Sequence, residues 1–136
     1  MKPAFPPPAR NGATLIEALV AILIFSIGIL AVVGLQAVSV KNAATAKYRT
    51  EAAMLADQVI GEMWGDDKNA LQTNYNTGGP KYLVWKTQVE AALPGAGTSP
   101  PTISVGAGNV IIVTVYWQEP GETIIHNVAL TAQVNT

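Results

Sequence analysis

The longest feature of the hydrophobic pattern is an apolar run that begins near Ala13 and ends at Val40. From Ala18 to Val40 there is no ionisable residue, and these 23 residues would extend about 35 Å as an α-helix. A helix of that length crosses a hydrocarbon core of about 30 Å. The run therefore predicts a transmembrane helix.

After residue 40 the pattern changes from uniformly apolar to amphipathic. No proline or capping signal separates the two patterns, so we expect one helix of about fifty residues, from Ala13 to Met63. Its transmembrane half covers residues 13–40, and its amphipathic half belongs to a domain formed by residues 41–136. The apolar positions of the amphipathic half recur at spacings of three and four: Tyr48, Ala52, Leu55, Ala56, Val59, Ile60 and Met63.

The segment that follows the long helix contains turn signals and one short helix. Residues 66–80 are rich in Asn, Asp and Gly and predict a polar loop. Pro94-Gly95 ends the next periodic segment, because proline cannot continue a helix. The apolar residues of that segment share one helical face: Trp85, Val89, Ala92 and Leu93.

Two strands are predicted near the C-terminus. Residues 110–117 form a β-branched and aromatic run, and alternate apolar side chains share one face of residues 124–134. The intervening sequence Glu-Pro-Gly-Glu at 119–122 suits a type II turn, which makes the pair an antiparallel hairpin. Residues 102–105 are a candidate third strand. A hairpin alone is marginally stable, so we expect its apolar face to pack on the amphipathic half of the long helix, in an α+β fold.

Composition excludes several functional classes. The 136 residues carry a formal net charge of −1, so nucleic acid is not an expected partner. The chain has no cysteine, which excludes disulfides and thiolate metal sites, and its single histidine is His126. No nucleophile, base and orienting group can be assembled, and no phosphate-binding glycine loop is present. We therefore expect neither an enzyme nor a cofactor.

The other polar and aromatic candidates are interpreted as structural. His126 is expected to be a core or rim residue on the last strand. Asp66, Asp67 and Asn69 offer oxygens of the kind that hard cations bind, but a solvated loop at the helix end is favoured, so no metal site is expected. The tryptophans are expected to be core or platform aromatics: Trp64, Trp85 and Trp117.

One carboxylate, Glu17, stands at the start of the apolar run. A charge costs about 2.5 to 3.5 kcal/mol at the centre of a membrane helix, so a simple anchor would be expected to lack it. One interpretation is local, because Thr14 and Glu17 form the T-x-x-E pattern of a capping box. Another is a secretory signal cleaved after a small residue such as Ala37. Signal cores run about 7 to 15 residues, however, and this run is longer.

A third interpretation rests on the residues around Glu17. The sequence GATLIEALVA, from Gly12 to Ala21, follows a short basic leader and resembles the start of type IV pilin-like proteins. In that family prepilin peptidase removes the leader after the glycine, and the new N-terminus is usually methylated. The glutamate five residues into the mature chain is almost always kept. The family usually has phenylalanine where Ala13 stands.

The resemblance implies specific roles for these positions. Residues 1–12 would be the leader, cleavage would fall between Gly12 and Ala13, and Ala13 would be N-methylated. Glu17, together with Thr14, would contact neighbouring subunits during assembly. In a filament of parallel helices, the α-amine of Ala13 on one subunit can meet Glu17 of the next.

A looser resemblance covers the C-terminal part. The tryptophan-led helix ending at residues 93–95 and the strand at 113–117 look like the type IV pilus modification (PilV-like) minor pilins. They are also similar to the minor pseudopilins of type II secretion. Major pilins commonly close a C-terminal loop with a disulfide, which this chain cannot form. The resemblance thus implies a pilin-like fold and a minor component of the filament.

The resemblance also implies partners and a location. The partners would be prepilin peptidase, the inner-membrane assembly platform, and other major and minor pilins. The leader would lie in the cytoplasm, residues 13–40 in the inner membrane and residues 41–136 in the periplasm, before the subunit enters a pilus on the cell surface. Two alternatives stay open: a type II secretion minor pseudopilin, and a membrane-anchored periplasmic binding domain that never polymerises.

Overall fold

The computed structural model describes residues 11–134, so the predicted leader lies outside the described residues up to Arg10. The chain divides into two compact units, Met1–Asn42 and Ala43–Thr136. The α+β, pilin-like fold expected from the sequence is confirmed: a long N-terminal helix is followed by short helices and a small antiparallel sheet. The elements are α1 (Asn11–Trp64), α2 (Leu71–Tyr75), α3 (Pro80–Ala92), β1 (Thr102–Val105), β2 (Val110–Gln118) and β3 (Ile125–Gln133).

The part of α1 that belongs to the first unit is exposed along its described length. From Gly12 to Asn42 every residue is exposed, and large apolar side chains such as Leu30 and Leu35 are 74% and 71% accessible. The hydroxyl of Ser26 donates to the carbonyl of Ile22 at 2.7 Å, so this polar group is satisfied within the helix. By length and composition the helix can cross a membrane.

Residues 43–64 of α1 bury the stripe predicted from the sequence. Ala52, Ala56, Val59 and Met63 are fully buried, and Leu55 is nearly so. They belong to the same core cluster as buried residues of α3 and β2, which confirms that the sheet packs on the amphipathic part of the helix. The core members from those two elements are Tyr82, Trp85, Val89, Ile111, Val113, Val115 and Trp117.

The sheet has the order β1-β2-β3, with both neighbouring pairs antiparallel. The β2–β3 hairpin closes through the predicted turn, in which the N–H of Glu122 donates to the carbonyl of Glu119 at 3.1 Å. Gly121 has φ +84°, the left-handed conformation that the third position of a type II turn requires. Beyond the turn, Trp117 pairs with His126 across the two strands.

One sequence prediction was wrong. Residues 66–80 are not a continuous loop, because α2 forms within them and buries Leu71 and Tyr75 in the core. Burial of two apolar side chains outweighs the polar composition of that segment. Of the two roles expected for the tryptophans, Trp64 does not have the core one: its side chain is 51% exposed, and Nζ of Lys68 lies 5.8 Å from its ring centroid.

Candidate functional site

The predicted processing residues lie in the first turns of α1. Gly12, Ala13, Thr14 and Glu17 are all helical and all exposed. A β-carbon built on Gly12 would meet no atom within 4 Å, so the fold places no steric demand for glycine there. Glycine in a helix is about 1 kcal/mol less favourable than alanine. The folded chain therefore gives no steric reason for a glycine at this position.

The capping box predicted for Thr14 and Glu17 does not stand at the start of α1. The helix already includes Asn11 and Gly12, so Thr14 lies inside it instead of at its N-cap. An N-cap residue has non-helical backbone angles, which Thr14 does not have here. If the chain were cleaved after Gly12, Glu17 would be the fifth residue of the helix, close to the positive end of the helix dipole, which favours a carboxylate.

Glu17 is a charge on an exposed, otherwise apolar surface. Ala13 and Ala21 lie four residues before and after it, on the same side of the helix. Both have small side chains, so neither can cover the carboxylate. Leu15 and Ile16 nearby are 66% and 65% exposed. The arrangement offers an accessible acceptor for a cation or an N–H donor that approaches from another molecule.

The loop after α1 uses its acidic residues within the domain. Asp66 forms an ion pair with Lys81. The hydrogen bond from Lys81, helped by one from the N–H of Asp67, lowers the pKa of the Asp66 carboxyl, and the same pair raises the pKa of Lys81. Oδ1 of Asp67 accepts from the backbone N–H of Asn69 at 3.0 Å. These contacts support the interpretation of a loop at the helix end.

His126 lies at the rim of the core, as expected. Its ring stacks on Trp117 with centroids 5.7 Å apart and planes tilted by 21°. Its Nε2 lies 3.4 Å from Oε2 of Glu122. Glu119 is close enough that one potential ligand atom from each of the three residues lies within 4.8 Å of the others.

Sequence reasoning missed this grouping of Glu119, Glu122 and His126. The turn and the strand that carry them were both predicted, but they were interpreted separately. A signal was present, because a tight turn at 119–122 between paired strands brings the side chains at its two ends near the first residues of the returning strand.

Comparison with protein families identifies one match. A family described as "Prokaryotic N-terminal methylation motif" matches residues 8–33, which include Gly12, Ala13, Thr14 and Glu17. This motif supports a type IV pilin-like protein, and it implies interaction with prepilin peptidase and with pilins in general. With the exposed apolar helix, it is also consistent with an inner-membrane anchor. No match was found among curated proteins or solved structures.

Proposed function

We propose that this chain is the precursor of a minor pilin, a non-enzymatic structural subunit of a type IV pilus. Prepilin peptidase cleaves it between Gly12 and Ala13, Ala13 is methylated, and the mature subunit enters the filament or primes its assembly. The observation that carries this proposal is the position of Glu17. It lies within the matched methylation motif, on a helix surface that the chain itself leaves uncovered.

Glu17 acts as a docking charge in this proposal. Cleavage after Gly12 creates an α-amine at Ala13, and this amine on one subunit pairs with Glu17 of its neighbour. A lone carboxylate in an apolar environment is costly, whereas one that is paired with an ammonium and hydrogen-bonded is tolerated. Assembly thereby supplies the partner that the membrane lacks, and the pair sets the axial register between subunits. Thr14 lies beside Glu17 on the same contact surface.

The exposed helix supplies the remaining contacts. Residues 12–42 bury no side chain within the chain, so their apolar surface is covered first by the inner membrane and then by the helices of other pilins. Residues 43–136 contain their own core and form the periplasmic domain before assembly. The absence of cysteine, and hence of the disulfide-closed loop common in major pilins, supports a minor component.

Substitution of Glu17 tests the docking role. Glu17→Gln removes the charge with little change in shape and is expected to lower incorporation into sheared filaments at least about tenfold, because it leaves the partner amine unpaired. Asp57→Asn is the matched control, since it also removes one exposed carboxylate from α1. Its incorporation should be unchanged. Normal incorporation of Glu17→Gln, or an equal loss in the control, would contradict the proposal.

Substitution of Gly12 tests the processing site separately. Gly12→Ala meets no steric obstacle in the structure, so a failure to be cleaved would report recognition by the peptidase and not misfolding. We expect Gly12→Ala to accumulate with the leader attached, whereas Gly28→Ala, which is equally unobstructed, should be processed normally. Recovery of the mature chain with a type II secretion apparatus instead of with pili would contradict the assignment to a pilus.

A further inference from the structure

The end of the β2–β3 hairpin gathers three potential metal ligands, which are independent of the N-terminal site. Glu119 and Glu122 begin and end the turn, and His126 is the second residue of β3. The pairing of Trp117 with His126 sets the register of the hairpin, and therefore which residues of β3 lie beside the turn. As a result, one carboxylate oxygen from each glutamate and one imidazole nitrogen lie within 4.8 Å of one another.

Glu119 is the buried residue of this cluster. Its side chain is only 6% exposed, and its Oε1 is buried without a hydrogen-bond partner among the described residues. A buried polar atom without a partner costs about 1 to 3 kcal/mol, and a charged group costs more. The carboxyl group reaches the same cluster as Glu122 and His126, so a cation held there would supply the missing partner.

One separation between the potential ligand atoms matches that expected at a small tetrahedral cation. Nε2 of His126 and Oε2 of Glu122 are 3.4 Å apart, which exceeds the usual length of a strong hydrogen bond. Two ligands of a tetrahedral zinc ion, each about 2.1 Å from the metal, are about 3.4 Å apart. One imidazole with two carboxylates suits Zn²⁺ and similar divalent transition metals, whereas Ca²⁺ prefers six to eight oxygens.

The surroundings orient the ligands. Stacking on Trp117 holds the imidazole ring of His126 nearly parallel to the indole. Nε2 of Gln118 donates to the backbone carbonyl of Glu122 at 2.7 Å, which fixes the far end of the turn. Ligands on rigid, hydrogen-bonded segments bind a metal with less reorganisation. Three protein ligands would leave the fourth tetrahedral position to water.

We propose that Glu119, Glu122 and His126 form a binding site for a divalent transition-metal cation, with Zn²⁺ as the best fit. The cation links the turn to the start of β3 and stabilises the hairpin. This proposal departs from the sequence-based expectation that His126 is not a ligand. It does not depend on the pilin assignment.

The test uses the full chain in detergent micelles, without a polyhistidine tag, and titrates it with Zn²⁺. His126 is the single histidine, so ¹⁵N-imidazole NMR signals report on this site alone. We expect these signals to shift and to saturate at one equivalent, and the midpoint of thermal unfolding to rise. Glu119→Gln keeps the shape of the side chain and should weaken Zn²⁺ binding at least about tenfold.

Two controls separate binding from folding. Glu90→Gln removes a carboxylate outside the cluster and should leave Zn²⁺ affinity unchanged. Without metal, Glu119→Gln should unfold at a temperature no lower than the original chain, because it replaces a buried carboxyl group that lacks a partner at Oε1 by an amide of nearly the same shape. Imidazole signals that do not move on addition of Zn²⁺ would overturn the proposal. A Zn²⁺ affinity that Glu119→Gln leaves unchanged would also overturn it, because His126 would then bind the ion without the cluster.

Discussion

The two parts of helix α1 differ in burial although they belong to one continuous helix. Between Gly12 and Asn42 no residue is buried, and most side chains are apolar. Between Ala43 and Trp64 the helix carries most of its charges, and five residues on one stripe are buried in the core. The comparison shows that a helix can be satisfied within its own domain along one stretch and require an external environment along another.

The glycines of the two regions differ in the same way. In the exposed part of α1, a β-carbon on Gly12, Gly28 or Gly34 would meet nothing within 4 Å. In the globular unit, Gly95 has φ +75°, and a β-carbon there would lie 2.7 Å from Cβ of Gln118. The fold requires glycine at residue 95, whereas it gives no steric reason for the glycines of the exposed helix.

The largest expected effect is a loss of stability when a residue in the buried stripe of α1 is substituted, in contrast to a substitution in the exposed part. Met63→Ala empties a fully buried position and should lower the free energy of unfolding by about 2 to 5 kcal/mol. Leu35→Ala, at a position 71% exposed, should leave the stability of the globular unit unchanged. Denaturant titration of the full chain in micelles, followed by near-UV circular dichroism, measures both. Equal destabilisation by the two substitutions would contradict the claim that only the second part of α1 contributes to the stability of the globular unit.

An intermediate effect is expected at Gly95. Gly95→Ala forces a side chain into a left-handed backbone conformation and against Gln118, and should cost about 2 kcal/mol of stability. Gly97→Ala is the matched control, because nothing lies within 4 Å of its β-carbon and its φ is not left-handed. If thermal unfolding shows the same midpoint for both variants, the close approach of residue 95 to β2 does not constrain the fold.

The smallest effect concerns the ion pair between Asp66 and Lys81. Because the pKa of Asp66 is lowered in the folded state, its contribution to stability is present above the ordinary value of 3.8 and is lost as the pH falls through the lowered pKa. The thermal midpoint of Asp66→Asn should therefore lie slightly below that of the original chain at neutral pH. The difference should vanish in strong acid. A difference that persists unchanged there would contradict the assignment.

Much of the fold follows from local patterns. The amphipathic stripe of α1, the helix ended by Pro94-Gly95, and the turn at residues 119–122 were each predicted because periodicity and turn chemistry act over a few residues. Helix α2 was not predicted, because the burial of Leu71 and Tyr75 depends on tertiary packing against the core, which a local sequence pattern does not specify. The sequence left open whether Trp64 faces the core, because one residue of helical phase decides it: Met63 is buried and Trp64 next to it is exposed.

The two candidate sites also differ in whether local sequence patterns can reveal them. The N-terminal motif is contiguous, so Gly12, Ala13, Thr14 and Glu17 could be proposed as site residues from the sequence alone, and all four lie within the matched family motif. The group formed by Glu119, Glu122 and His126 depends on the hairpin register and on the burial of one glutamate, neither of which single-residue patterns specify.

Intact-mass and peptide mass spectrometry of the chain isolated from cells that contain prepilin peptidase test the central claim most directly. The claim is that α1 is exposed at its N-terminal part because that part is processed and assembled. We predict a mature chain that begins at Ala13 and carries a methyl group on its α-amine. A chain that retains Met1, or one that begins near Val38, would contradict it.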